Sequence, residues 1–460
     1  MSSCNSLRVL CCLMAVWLAG GSLPGRLLPA GEPALPVGAA KQCNGKQFNV
    51  VLIISDDQAW TDYGFMGHRV IRTPHLDRLA ERSLTFTRGY VTSSLCRPSL
   101  ATLITGLYPH QHGITGNDPR LPDAKAPAMQ SRTNPQFARY YETLIRRIEE
   151  HPTLPRLLGG QGYVSFQSGK WWEGSYSRGG FTAGMTHGDP QRGGRHGDAG
   201  LSIGRQGLEP IYQFIRQAKA DGKPFLLWYA PMMPHTPHNP PQTLLNRYRP
   251  LAETEPLARY YAMCEWFDET CGQLLDFLEG EGLRQDTLVV YLADNGWIQD
   301  PKRPNQFAPR SKRSVYEGGI RTPIMLSLPG RIAPKRDEQT LASSIDIAPT
   351  VLSMCGLPVP EKLLGVNLLD PAALARRNAI FGEIYSHDVA DVDKPTRSLQ
   401  YRWVISGWWK LIVPASGGDG ARPELYELRQ DPHETRDLAS EKPDVVEKLR
   451  QRLDAWWPGN

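Results

Sequence analysis

Beyond its N-terminal region, this chain of 460 residues has no apolar run approaching the length of a bilayer span. It has no basic block either. Lys+Arg 52 against Asp+Glu 47 leaves a net charge of +5, mild for this length, so nucleic acid is not an expected partner. Internal repeats and low-complexity tracts are missing. Apolar residues at 40% and charged residues at 22%, with 43 Gly and 39 Pro, exclude the disordered and collagen-like classes. What remains is a globular chain rich in turns, long enough for one large α/β domain with a small satellite.

The N-terminus carries Arg8, the apolar run Val9 to Ala19, the small residues Gly20-Gly21-Ser22 and a Pro/Gly/Ala-rich stretch to Ala40. This is the layout of a secretory signal peptide over 1–22 and a linker over 23–42; the run is too short to span a bilayer comfortably, and an uncleaved anchor is the alternative. The mature chain is therefore expected to be soluble and secreted or periplasmic. Three of the eight cysteines leave with that segment, and Cys43, Cys96, Cys264, Cys271 and Cys355 remain. An odd count in an exported protein points to a thiol with another fate. Cys264 and Cys271 lie seven apart on a predicted helix, about 10.5 Å along its axis and too far to bridge each other. They continue an apolar stripe of Tyr260, Phe267, Leu274 and Leu278, which makes them core residues. Cys96 instead stands in a polar turn just before Pro98.

Short apolar runs bounded by turn residues recur at 48–55, 164–167, 225–230, 287–293, 324–327 and 380–384, several apolar throughout, as in strands buried on both faces. Helical patterns at 73–83, 98–106, 136–150 and 256–279 separate them. The alternation predicts an α/β fold: a large, mixed, mostly parallel sheet with helices on both faces, over 43–388. From 389 to 460 the texture changes to alternating segments at 401–406, 408–413 and 424–428, a turn at 417–420 and a closing helix with Val446, Leu449, Leu453 and Trp456 on one face. This predicts a small antiparallel sheet-and-helix lobe. Two long irregular stretches, 117–134 and 173–207, have the length of active-site rims or disordered segments.

Two predicted strands end in oxygen-rich pairs, Asp56-Asp57 and Asp294-Asn295. In doubly wound sheets ligands bind beyond the carboxyl ends of the strands, so two such pairs at neighbouring strand ends would converge. Three crowded carboxylates call for a cation, and their oxygens suit Ca²⁺ or Mg²⁺ better than zinc. Taken singly, either pair reads first as turn or N-cap chemistry; it is the two together that point to a cation. Cys96 opens a helix with Pro98 in its first turn, a position that lowers a thiol pKa and attracts oxyanions, and so a seat for a nucleophile toward an anionic ester. A Cys-x5-Arg phosphatase loop would need Arg at 102, which is Thr102.

Cys96-Arg97-Pro98-Ser99 followed by Ala101-x-Leu103-x-Thr105-Gly106 resembles the hallmark of the type I sulfatases of the alkaline phosphatase superfamily. Further segments occur in that family's order: Asp56-Asp57, Thr73-Pro74-His75-Leu76-Asp77, Gly169-Lys170-Trp171, Pro234-His235, Asp294-Asn295-Gly296, Glu317-Gly318-Gly319 and Asp431-Pro432-His433-Glu434. The resemblance implies that Cys96 is oxidised to formylglycine by a formylglycine-generating enzyme. It implies a metal, usually Ca²⁺ and less commonly Mg²⁺, held by Asp56, Asp57, Asp294, Asn295 and an oxygen of the converted Cys96. It further implies that one oxygen of the hydrated aldehyde attacks sulfur, that Lys170 and Lys312 balance charge on the sulfuryl oxygens, and that His235 and Lys312 protonate the departing alcohol. Taken alone, Lys170 and Lys312 read as solvated surface lysines and His235 as a turn histidine. His68, His110 and Glu317 are read as structural.

Two positions depart from the family pattern. Leu100 stands where the family has an arginine used in maturation and in holding the converted residue; Arg97 or Arg313 is a candidate substitute charge. Trp172 stands where the family has a histidine favoured as base, and indole cannot accept a proton. His187 and His196, in the following loop, are candidate replacements. Trp171, Trp172, Trp297 and the loops at 117–134 and 173–207 are expected to rim an exposed cleft. The leading expectation is a hydrolase acting on a sulfated carbohydrate or aryl sulfate. The alternatives are a phosphodiesterase or phosphonate monoester hydrolase on the same fold, and a sulfated-glycan-binding pseudoenzyme.

Overall fold

A computed structural model describes residues 47–121, 134–189, 194–415 and 422–459. The proposed signal segment and linker, Cys43, most of the loop at 117–134 and the turn at 417–420 lie outside the described residues.

The strands of the main sheet are β1 (Asn49–Ser55), β2 (Leu84–Tyr90), β3 (Val164–Gly169), β4 (Phe225–Ala230), β5 (Thr287–Ala293) and β6 (Arg321–Ser327). With short edge pieces they form a nine-stranded sheet whose central order is β2, β6, β5, β1, β4, β3. β5, β1, β4 and β3 run parallel, and β6 is antiparallel to both of its neighbours. The apolar runs at 225–230 and 287–293 are strands from end to end, because every residue in them is buried. Their side chains alternate between two core clusters: Val50, Leu52 and Ile54 of β1 enter one, and Val51 and Ile53 enter the other. Helices α1 (Pro74–Glu81) and α3 (Glu255–Gly280) pack with the second cluster, and α2 (Cys96–Thr105) with the first. Cys264 and Cys271 are fully buried on α3, as the stripe predicts.

The second sheet is antiparallel, β7 (Ile380–Tyr385), β8 (Leu399–Ser406), β9 (Trp409–Pro414) and β10 (Glu424–Glu427), with α4 (Pro443–Trp456) against it through Leu449 and Leu453. The run at 380–384 thus belongs to this sheet and not to the main one; an apolar run alone does not reveal which sheet it joins. β2 was not expected, since Thr85, Thr87 and Arg88 disguise it. Those polar side chains are buried with backbone acceptors, Arg88 donating to Gln339 O at 2.9 Å. Among the described residues no helix is long and apolar enough to cross a membrane.

Candidate active site

Four adjacent strands point their carboxyl ends at one place. β1 delivers Asp56 and Asp57, β5 delivers Asp294 and Asn295, β3 delivers Lys170, and the turn after β4 delivers His235. The in-register pairing Ser55↔Ala293 sets the two acidic pairs side by side. Two glycines permit the crowding: a Cβ at Gly169 would lie 1.9 Å from Ala230 O, and one at Gly296 would lie 2.1 Å from Gly318 O. Asp57 itself has φ +65, a left-handed conformation that aspartate tolerates better than most residues. The backbone N–H of Asp57 donates to Asp294 Oδ1 at 3.1 Å, and Asn295 Nδ2 donates to Asp57 Oδ1 at 2.7 Å.

Cys96 begins α2 directly opposite. Lys170 Nζ lies 3.4 Å from its sulfur and 2.9 Å from Asp56 Oδ1; Lys312 Nζ lies 3.2 Å from the sulfur and 2.6 Å from Asp57 Oδ1. Both lysines are buried, so neither is the solvated surface residue its type suggests. His235 donates its Nδ1–H to Thr236 O at 2.7 Å, which leaves Nε2 facing Asp57 Oδ2 at 3.5 Å. Ligand atoms of Asp56, Asp57, Cys96 and His235 all lie within 4.8 Å of one another. Asp294 and Asn295 adjoin this group through their bonds to Asp57.

Burial dominates the electrostatics. It pushes Asp56 and Asp294 up, against the pull of Lys170 and Lys312, and neighbouring carboxylates push them further. For Asp57 burial also acts upward, yet Lys312, His235 and Lys170 outweigh it and hold the carboxyl at about 2. Burial, Lys170 and Lys312 hold His235 well below the usual imidazole range. The Cys96 thiol is raised by burial in spite of both lysines. The expected lowering is not found, because the desolvation of a fully covered sulfur outweighs both lysines. As a thiol, Cys96 is a poor nucleophile.

The residues fit a cation. Asp294 Oδ2 and Asn295 Oδ1 are buried with no hydrogen-bond partner among the described residues, and both stand beside the Asp56-Asp57 pair. Orphaned buried oxygens are costly unless something else binds them, and an all-oxygen set of this kind suits a hard divalent ion.

The open part of the site is a cleft of about 250 Å³ that includes Cys96, Lys170, Trp172, His196, His235 and Trp297. Trp171 is not on its rim. Its ring packs edge-on against Phe181 and Trp228 inside the first core cluster. His196 lines the cleft, its ring tilted against Trp172 with centroids 5.2 Å apart, whereas His187 packs on Tyr176 and is not among the lining residues. Arg97 does not supply a free charge: its buried guanidinium is held bidentately by Glu173 at 2.8 and 2.6 Å. Leu100 is buried in the first core cluster. Arg313 reaches the cleft and is exposed. Asn117 and Arg195, from the two loops expected at the rim, also line it, as does His387, which sequence reasoning missed. Arg195 Nε donates to Asp118 Oδ1 at 2.9 Å, with its guanidinium 4.6 Å above the Trp172 ring, and His387 pairs with Asp388 at 2.5 Å. No local motif marks these three, because short strand pairing between Asp118–Pro119 and Asp388–Val389 brings them together across the chain. His68, His110 and Glu317 do not line this cleft.

Two family models match the chain: Sulfatase over residues 48–357, and N-sulphoglucosamine sulphohydrolase, C-terminal, over 307–457. N-acetylgalactosamine-6-sulfatase of Canis lupus familiaris is 29% identical over 366 residues, which is 71% of this chain and 66% of that protein. The chain thus spans just under two thirds of that relative. Arylsulfatase A of Homo sapiens is 27% identical over 88% of this chain and 86% of its own. Among solved structures, Ps i-CgsB in complex with k-i-k-neocarrahexaose superposes with a TM-score of 0.70 at 22% identity, covering 90% of this chain and 94% of that one.

Proposed function

Because the chain belongs to the sulfatase family, we propose that it is a sulfuric ester hydrolase whose substrate is a sulfated carbohydrate, with aryl sulfates as small surrogates. The observation that carries this reading is the pair of orphaned oxygens, Asp294 Oδ2 and Asn295 Oδ1, set beside Asp56 and Asp57 and facing a residue flanked by two buried lysines. Asp56, Asp57, Asp294, Asn295 and a converted Cys96 would hold a divalent ion, Ca²⁺ in preference to Mg²⁺. Bound there, the ion would supply Lewis acidity, and formylglycine at position 96 would supply the nucleophilic hydrated carbonyl.

The rest falls to side chains already in place. Lys170 and Lys312 put two positive charges beside position 96, where sulfuryl oxygens gather negative charge as the ester bond breaks. Lys312, held protonated by Asp57, is placed to give a proton to the departing alcohol. His235 has its Nδ1–H committed to a carbonyl and offers Nε2 to the same space. Arg195, paired with Asp118, lies over the Trp172 indole and lines the cleft. Maturation by a formylglycine-generating enzyme and export under the direction of residues 1–22 complete the proposal.

The test is production alongside a formylglycine-generating enzyme, with mass spectrometry of the tryptic peptide containing Cys96 and assay of sulfate release. A loss of about 18 Da, expected for thiol-to-aldehyde conversion, together with sulfate release is the expected result. An unmodified thiol with no release would leave a glycan-binding protein, and faster turnover of a matched phosphodiester would reassign the activity.

A further inference from the structure

The catalytic cleft is not the larger cavity. A second pocket of about 360 Å³, within the ~300–1,000 Å³ range of small-molecule sites, lies on the other side of the segment running from 297 to 312. Trp297 and Lys312 face the cleft, whereas Ile298, Gln299 and Arg310 face the pocket. Tyr260 forms part of the shared wall. Its hydroxyl sits 2.6 Å from Asp62 Oδ2 and 3.3 Å from the carbonyls of both Asp57 and Trp297. None of the chemistry assigned to the cleft uses this second space.

Its lining has two parts. Half-buried Trp60, Tyr261 and Tyr316, with exposed Ile298, present apolar surface. Arg310 and His433 present donors: Arg310 stacks 4.0 Å over Tyr316 and donates to Tyr426 Oη at 3.1 Å, and His433 is exposed, 6.0 Å from the Trp60 ring. Three carboxylates also line the pocket, Asp62, Glu317 and Glu434. Glu317 and Glu434 share buried Lys410, at 3.2 and 2.7 Å, and Arg321 lies 3.6 Å from Glu317. Glu424, the carboxylate nearest Arg310, stands 4.0 Å away and already accepts from Tyr316 Oη at 2.9 Å. Burial lifts the Asp62 carboxyl to about 7. Arg310 is exposed at an aromatic-walled opening, with Glu424 at 4.0 Å. Aromatic faces beside a guanidinium suit sugar rings that carry anions.

We propose that this pocket is a second glycan site, binding an anionic sugar unit of the same sulfated chain whose ester lies in the cleft. The proposal rests on the hydrolase reading above and extends it from a monosaccharide ester to a polymer that spans both cavities across the 297–312 segment. A polymer held at two linked sites gains affinity over either unit alone.

The full-length Cys96→Ala protein, which can neither mature nor turn over, is titrated by calorimetry with Ca²⁺ present. The probes are sulfated hexasaccharides of carrageenan and chondroitin and the corresponding monosaccharide sulfates. At least one hexasaccharide is expected to bind tenfold or more tightly than its monosaccharide, a gain in the range linked sites deliver. Arg310→Ala and His433→Ala are each expected to erase that gain and leave monosaccharide affinity unchanged. His433 is exposed, so its variant keeps the test open if Arg310→Ala unfolds. Absence of any gain, or a gain that survives both substitutions, overturns the proposal. Sulfate release by the matured parent protein from the monosaccharide sulfate is measured alongside. Release without an Arg310-dependent gain removes the second site alone; no release and no monosaccharide binding removes the hydrolase reading as well.

Discussion

Replacing Glu173 by Ala should destabilise the protein through a charge left behind, not through a lost contact. Arg97 has no solvent exposure, and Glu173 meets it with two bonds of 2.8 and 2.6 Å; the guanidinium also donates to Asn117 O at 3.2 Å. Removing one member of a buried pair costs about 3–5 kcal/mol, most of it the penalty of an uncompensated ion. For a chain of 460 residues the unfolding entropy is about 1 kcal/mol/K, so the midpoint should fall by roughly 3–5 °C. Arg97→Met combined with Glu173→Met should recover more than half of that loss, because no charge is then stranded. Differential scanning calorimetry on the parent, Glu173→Ala, Arg97→Met, Glu173→Met and the Met/Met double gives the loss and closes the cycle. A Glu173→Ala midpoint within about 1 °C of the parent, or a double variant that shows the sum of the single losses, would refute the reasoning. The pair also ties the first turn of α2 to the residue after Trp172, so the same variant should lower sulfate release.

Lys170→Ala and Lys312→Ala should each reduce kcat for an aryl sulfate by about 10²–10³-fold, the range for removing one preorganised stabiliser of transition-state charge; an unchanged kcat would place these ammoniums outside the reaction. Chelation with EGTA should lower both activity and midpoint, with recovery by Ca²⁺ but not Zn²⁺, as measured by scanning fluorimetry and sulfate release. His196→Ala should slow single turnover while His187→Ala should not, since only His196 lines the cleft. Burial raises Asp62 and Asp268 from 3.8 to about 7. Their stabilising contribution is therefore complete below pH ~4 and is lost as pH rises through 7, with a slope of up to about 1.4 kcal/mol per pH unit for each carboxyl. Asp62→Asn should flatten the fall in midpoint between pH 4 and 7, and an unchanged profile would assign that slope elsewhere.

The legible parts of the molecule were those where one physical constraint dominates a short segment. β4 and β5 are buried on both faces, and nothing polar interrupts them, so their bounds were readable to the residue. The convergence of Asp56, Asp57, Asp294 and Asn295 followed from strand ends alone; buried Lys170 and Lys312 and half-buried His235 stand around them. Illegible parts depend on what lies across the chain. β2 hides behind Thr85, Thr87 and Arg88, whose polar atoms find acceptors that only the folded sheet provides. Trp171 follows Lys170 and resembles a rim aromatic, yet its ring turns inward onto Trp228. Arg97 looked like a spare cation until Glu173, 76 positions away, was seen to hold it. The Cys96 sulfur has its acidity set by burial, a quantity that helix position does not report.

The shoulder-to-shoulder pairing of β1 with β5 runs without a bulge from Asn49↔Thr287 to Ser55↔Ala293. The gap separating the two acidic tips is consequently ruled by the sheet's own lattice, while the walls above are furnished by long, irregular excursions. Insertions or rewritten residues in those excursions can change what the cleft accepts without disturbing the spacing of its oxygens. A slip of a single step along β1 would do the reverse, turning one tip toward the opposite face and dismantling the cation's seat while every loop stayed intact.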